Sequence, residues 1–351
     1  MASDEVTYAA AGVDIEAGDR AVELMKEWVA KARRPEVVGD LGGFAGLFDA
    51  SALKSYDRPL LVTSTDGVGT KVAIAQQMDV HDTIGFDLVG MVVDDIVVCG
   101  AEPLFMTDYI SCGRLIPERV AAIVKGIAQA CAIAGCALSG GETAEHPGLL
   151  GPDEYDLAGA VTGVVEADRL LGPHRVRPGD VVVAMGSSGL HSNGYSLVRH
   201  VFFDIAGWTL DREVRVLGRS LGEELLEPTR IYAHQCLTLA DAVDVHAYAH
   251  VTGGGLAANL ARVLPPNLDA ALDRSSWRPQ PIFGLVGDAG RIEQDELERT
   301  LNMGVGMLAV LAPDAIDQAL ALLSDHGVDA WVVGEVRTGG GSVQLNGSYA
   351  G

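Results

Sequence analysis

The sequence predicts an α/β protein in two domains, and three observations lead there. Strand-like apolar runs alternate with helix-period segments through both halves of the chain. Its 351 residues exceed what one hydrophobic core usually spans. Hydrophobic residues make up 48% but aromatics only 5%, and glycines number 43, a mix that suits packed layers joined by tight turns.

In chain order, Leu60 to Thr65 reads as a strand, Thr83 to Cys99 as a helix, Leu104 to Ile110 as a strand, Pro117 to Ala134 as a helix and Asp156 to Val165 as a strand. The stretch "GPHRVRPG" from Gly172 to Gly179 then breaks the periodicity with proline, glycine and charge. It divides a first domain over residues 1–172 from a second over 173–340. The second half reads as strand Asp180 to Met185, helix Tyr195 to Phe203, helix Arg230 to Ala240, and a strand running into "TGGG" with a helix from Leu256. Strand Gly304 to Leu311, helix Asp314 to Asp325 and strand Ala330 to Gly334 follow. The ending "RTGGGSVQLNGSYAG" has little apolar periodicity, so residues 341–351 are expected to be a flexible tail.

Composition excludes several classes. A formal net charge of -23 argues against a nucleic-acid partner, because phosphate neutralisation needs clustered Lys and Arg. Apolar runs such as Leu157 to Val165 fall far short of the roughly 20 residues that cross a bilayer, and no charged-then-apolar leader opens the chain. Cys99, Cys112, Cys131, Cys136 and Cys236 are odd in number and show no C-x-x-C spacing, which reads as reduced core thiols. A soluble cytoplasmic protein is expected.

Four glycine-rich turns follow strand-like runs: "TDGVGTK" (Thr65 to Lys71), "SGGETAEHPG" (Ser139 to Gly148), "GSSGLHSNGYS" (Gly186 to Ser196) and "HVTGGG" (His250 to Gly255). Such turns can aim several amide N–H groups at one anion, so four of them suggest a polyphosphate ligand. The third has P-loop glycine spacing, but Tyr195 stands where the lysine belongs. The helix "TIGFDLVGMVVDDIVVCG" carries Asp87, Asp94 and Asp95 among aliphatics. Asp87 and Asp94 lie two turns apart on one face, and Asp95 is displaced by roughly 80°. Such carboxylates form either a solvated stripe or a cation site; the apolar surroundings favour a cation for at least one. Asp66 and Glu142 add hard oxygen ligands of the kind Mg²⁺ takes. His246 and His250 have metal-pair spacing on a strand-like segment without a third ligand, so zinc is not expected. His191 could meet a phosphate, move a proton, or simply occupy a turn.

Taken together, "YAAAGVDIEAGDRAVELMK", "RPEVVGDLGGFAGLF", "STDGVGTK", "HDTIGFDLVGMVVDDIVVCGAEPLF", "SGGETAEHPG", "GSSGLHSNGYSLVR", "LLEPTRIY", "HVTGGGLAANLARVLP" and "NMGVGM" resemble the phosphoribosylformylglycinamidine cyclo-ligase family from about Tyr8 to Gly334. The resemblance implies the two-domain ATP-binding fold shared with selenophosphate synthetase, thiamine-monophosphate kinase, a hydrogenase maturation factor and formylglycinamidine ribonucleotide synthetase. N-terminal halves of that fold pair into a barrel, so a homodimer is implied. The implied reaction is ATP-driven closure of formylglycinamidine ribonucleotide to 5-aminoimidazole ribonucleotide in purine biosynthesis. Rival readings are a related small-molecule kinase and a nucleotide-binding protein without turnover.

By the same resemblance, ATP and Mg²⁺ are the cofactors, and Asp66, Asp95 and Glu142 are the implied Mg²⁺ ligands, with Asp87 and Asp94 as second candidates. Gly67, Gly69, Thr70 and Lys71 would surround the reacting phosphates, with Lys71 as a point charge, while Gly140 and Gly141 would let backbone approach the nucleotide. Ser187, Ser188, Gly189, His191, Ser192 and Asn193 would hold the ribose phosphate, and His250 would handle a proton. Two departures from the family pattern are Ala9, where lysine is common, so that no basic contribution is expected from that segment, and Asp40, where glycine is usual, which would stiffen a loop otherwise read as a closing lid.

Overall fold

The computed structural model describes residues 12, 14–39, 43 and 45–350; Ala9 and Asp40 lie outside the described residues. The first half opens with α1 (Ile15–Lys31), capped by the Asp14 side chain accepting from the Ala17 amide. A ribbon of β1 (Val37–Val38) and β2 (Leu47–Phe48) follows. A four-stranded sheet is then built from β3 (Pro59–Gly67), β4 (Glu102–Cys112), β5 (Ala137–Glu145) and β6 (Tyr155–Glu166) in the order β3-β6-β4-β5, parallel only between β4 and β5. Helices α2 (Val72–Met78), α3 (Ile84–Val97) and α4 (Pro117–Ala134) lie between the strands in sequence. On β6, Tyr155, Leu157, Gly159 and Val161 are buried while Asp156, Ala158 and Ala160 are exposed. That period of two shows a sheet covered on one face only. The covering layer is α3 and α4, with α1 outside α4.

The second half contains β7 (Val181–Gly186), α5 (Tyr195–Arg199), β8 (Glu213–Val214), β9 (Arg219–Ser220), α6 (Leu221–Leu225), α7 (Ala233–Ala242), β10 (Val245–His250), α8 (Gly255–Ala261), β11 (Leu268–Asp273), α9 (Pro281–Gly290), α10 (Gln294–Thr300), β12 (Val305–Leu311), α11 (Ile316–Asp325), β13 (Ala330–Thr338) and β14 (Val343–Asn346). Its sheet runs β10-β12-β7-β13-β11-β14, antiparallel except for the last pair. Every residue of β10 and β12 is buried, as strands covered on both faces require. The two halves meet where α7 packs on α3 and α4, and one apolar cluster runs through both.

Four differences from the sequence expectation have physical causes. Strand β3 continues through Asp66 and Gly67, whose partners on β6 are Gly159 and Ala158, so both sit in a sheet rather than a turn. Gly140, Gly141 and Glu142 likewise belong to β5. The helix expected from Tyr195 to Phe203 is α-helical only to Arg199 and continues as a π-helix over His200–Ile205. Within the stretch expected as a tail, residues 343–349 make packing contacts. Val343 and Leu345 turn inward on β14, Tyr349 packs edge-on to Trp277 at 5.0 Å between ring centroids, and its hydroxyl donates to Glu298 at 2.8 Å.

Candidate active site

Where the two halves meet, α3, the turn after β3 and the turn after β7 come together. The β3 turn begins at Val68 and passes Gly69, whose φ of +59° suits glycine, into α2. The β7 turn, Ser187 to Gly194, is irregular, with φ of +155° at Gly189, +59° at His191 and +77° at Gly194. The two turns are joined directly. Ser192 Oγ donates to Val68 O at 2.7 Å, and the Thr70 and Ser196 hydroxyls lie 3.3 Å apart.

The serine hydroxyls expected to hold a phosphate are turned inward. Ser187 Oγ donates to Gly189 O, Ser188 Oγ to Pro228 O and Ser192 Oγ to Val68 O. Asn193 Oδ1 accepts from the Gly253 amide, which ties this turn to the "TGGG" segment. What the turn leaves free is backbone. Gly189, Leu190 and Ser192 are buried, yet no protein acceptor for their amides is found among the described residues. An irregular turn with positive φ at Gly189, His191 and Gly194 and unspent N–H groups has the makings of an anion nest. Asn302 and Gln280, which sequence reasoning missed, brace it: Asn302 Nδ2 donates to Gly189 O at 2.9 Å and Gln280 Nε2 to Ser187 O at 2.9 Å. Their signal is spatial, since both lie far along the chain from the turn they hold.

His191 is buried and its Nε2 accepts from the Ser188 amide at 3.2 Å, which places its proton on Nδ1. Burial holds its pKa well below the ordinary histidine value, so it is neutral. His250 ends β10; its Nδ1 meets Asp95 Oδ1 at 2.9 Å, while Nε2 is buried without a partner. Asp95, partly exposed, has its other oxygen 3.5 Å from Ser64 Oγ. Asp66 lies two residues beyond Ser64 on the same strand face, so Asp95 is joined to the face that carries Asp66.

Several expected roles are corrected by this geometry. Lys71 is fully buried, and its three ammonium protons go to Asp87 Oδ1 at 2.8 Å, His191 O at 2.9 Å and Glu227 O at 2.6 Å. None is left for a phosphate. Asp87, also fully buried, accepts on Oδ1 from Lys71, the Thr229 amide and the Thr229 hydroxyl, so it does not reach a nucleotide. Both oxygens of Asp94 accept from the Tyr232 amide at 3.1 Å, and burial pushes its carboxyl up to about 7.

Glu142 is exposed on β5, three strand intervals from Asp66, roughly 14 Å at the usual spacing. Register places Gly141, not Glu142, in the cross-strand row of Asp66, Gly159 and Asp108. Among the described residues no three His, Cys, Asp or Glu side chains gather as a metal site. Glu142 thus stands apart from Asp66, while Asp95 is linked through Ser64 to the strand that carries Asp66.

Comparison with known proteins gives a consistent result. Residues 48–165 match the family model for the N-terminal domain of AIR synthase related proteins, and residues 177–346 match that for the C-terminal domain. The chain is 51% identical over 334 residues to a phosphoribosylformylglycinamidine cyclo-ligase of Geobacillus kaustophilus, covering 95% of this chain and 96% of that one. It is 52% identical over 337 residues to the protein of the same name from Anaeromyxobacter sp., covering 96% and 97%. Among solved structures, thiamine-monophosphate kinase from Stenotrophomonas maltophilia superposes with a TM-score of 0.67 at 21% identity, covering 93% and 96% of the two chains. E. coli HypE does so at 0.66 and 18% identity, covering 95% and 94%. At these identities the two structures speak for the fold.

Proposed function

The chain belongs to the phosphoribosylformylglycinamidine cyclo-ligase family, and from that membership we propose that it closes formylglycinamidine ribonucleotide to 5-aminoimidazole ribonucleotide at the expense of ATP. The observation that carries this reading is the direct joining of two turns where the halves meet. A buried nest of unspent amides suits a ribose phosphate, and it is hydrogen-bonded to the β3 turn, beside which Asp66 and Asp95 suit a metal-bound triphosphate.

Ring closure must expel an amide oxygen, a poor leaving group. Transfer of the γ-phosphoryl of ATP to that oxygen makes it leave as phosphate when the neighbouring nitrogen attacks. The protein's task is then to hold both phosphorylated ligands and manage charge. The nest amides of Gly189, Leu190 and Ser192 fix the ribonucleotide without a cationic side chain. Mg²⁺ entering with the triphosphate would be met by Asp66 and Asp95 and supplies charge neutralisation on phosphate oxygens. His250, oriented by Asp95, offers its unpartnered Nε2 for a proton in transit. Neutral His191 keeps the nest closed through the Ser188 amide.

Five free cysteines fit a reducing cytoplasm, and no helix among the described residues is long and apolar enough to cross a membrane. A homodimer formed through the bare face of the first sheet completes the reading. The test is an assay of purified protein with Mg²⁺, ATP and formylglycinamidine ribonucleotide. ADP and the aminoimidazole product are expected in equal amounts. ADP without that product would point to a kinase relative, and neither product to a nucleotide-binding protein.

A further inference from the structure

Lys71 and Asp87 form an ion pair with both side chains fully buried, at the place where the two halves of the chain touch. Removing two charges from water is expensive, and such a pair persists only where further hydrogen bonds satisfy it. The added bonds here are specific. The ammonium donates to two backbone carbonyls of the second half, His191 O at 2.9 Å and Glu227 O at 2.6 Å. The carboxylate, on α3 of the first half, receives the amide and hydroxyl of Thr229 at 3.0 and 2.6 Å on the oxygen that meets Lys71; its other oxygen is buried without a partner. One end of this cluster is therefore the nest itself, because His191 lies at its centre with φ of +59°. In a trans peptide the carbonyl and the following N–H point opposite ways, so holding His191 O on Lys71 turns the Ser192 amide away from the ion pair.

We propose that the buried Lys71–Asp87 pair is a positioning device that sets the phosphate nest of the second half from the β3 turn of the first, so that the two ligand sites keep a fixed separation. Lys71 thus acts through the His191 carbonyl and not by touching a phosphate. The inference rests on the cyclo-ligase reading given above. It explains why a lysine next to a glycine-rich turn is spent entirely inside the protein.

The test uses the full-length double variant Lys71→Met/Asp87→Leu, which removes both charges together and so avoids stranding one of them. Calorimetry first establishes that it folds. Initial rates are then expected to show KM for formylglycinamidine ribonucleotide raised about tenfold or more, with KM for ATP changed by less than about threefold, since displacement of a positioned group by even an ångström is costly. Overall loosening would shift both constants, and unchanged constants in a folded variant would overturn the proposal. Should the double variant not fold, Thr229→Val removes one donor to Asp87 and keeps both charges. A KM for the ribonucleotide raised about threefold supports the device, and an unaltered one sinks it. If wild-type protein itself lacks cyclo-ligase turnover, it is the functional reading that fails. The same variants are then compared for binding of inorganic phosphate, where equal affinity would overturn the device independently.

Discussion

Asp108 was not among the residues that sequence reasoning singled out, and its surroundings make it the most informative carboxylate outside the candidate site. It sits on β4 facing the covering helices, with its Oδ1 so close to Gly141 that a Cβ there would come within 1.8 Å. Burial pushes its carboxyl up to about 7, opposed only by a bond to its own amide. In the unfolded chain the group would titrate near 4. Between those values the folded protein holds a proton that the unfolded chain has released. The stability Asp108 contributes is thus complete below about pH 4 and is lost as pH rises through about 7. Asp108→Asn should therefore raise stability at pH 8, by about 2 to 4 kcal/mol, and change it little at pH 3.5, below the unfolded value. Urea unfolding at the two pH values checks this; an equal shift at both would mean that the carboxyl is already compensated in the native state.

At the scale of elements, the crossing of α3 and α4 shows how far sequence carries and where it stops. Helix α4 was legible to the residue, because Pro117 opens it and Gly135, at φ of +70°, closes it by local rules. Its Gly126, in mid-helix, reads locally as a weak point. The structure gives the reason: a Cβ there would lie 2.1 Å from Asp82 O, and one on Gly85 of α3 would lie 2.2 Å from the Ile127 amide nitrogen. The two backbones touch through the glycine pair. Gly126→Ala in a free helix would gain about 1 kcal/mol. Here it should cost about 1 to 3 kcal/mol, seen as a lower urea midpoint with unchanged m-value. A gain would show that the helices can separate freely. The same logic explains why the glycines of "SGGET" misled: Gly141 is required by a side chain on the neighbouring strand, not by a bend, and strand partners are invisible to a local reading. The Asp66–Gly67 pair is a second case, since β6 continues alongside it. The carboxylates of α3 were recognised as too costly to leave unpaired, but Thr229 and Tyr232, which take up Asp87 and Asp94, lie some 140 residues away in sequence.

For the molecule as a whole, the one-sided burial of the first sheet is the feature a single chain leaves unfinished. Leu61 is 65% exposed and Tyr109 40%, and around them Thr63, Thr65, Ala158 and Ala160 make a flat surface of small and apolar groups. Among the described residues, both outer strands, β3 and β5, also have an edge without a partner strand. Two such four-stranded sheets meeting face to face and edge to edge would close into a barrel, which removes the edges and covers the bare faces in one step. Two-fold symmetry makes every contact count twice, so the position of Leu61 tests it well. Leu61→Asp withdraws about 1.5 to 3 kcal/mol of apolar burial per subunit and sets a carboxylate against a closing surface. Sedimentation velocity should find wild-type protein as a dimer at micromolar concentration and the variant weakened at least about 100-fold toward monomer, with its fold retained, because Leu61 already faces solvent within one chain. A monomeric wild type, or a variant that dimerises as tightly, would assign the bare sheet another role and leave Glu142 on β5 without a second subunit to approach.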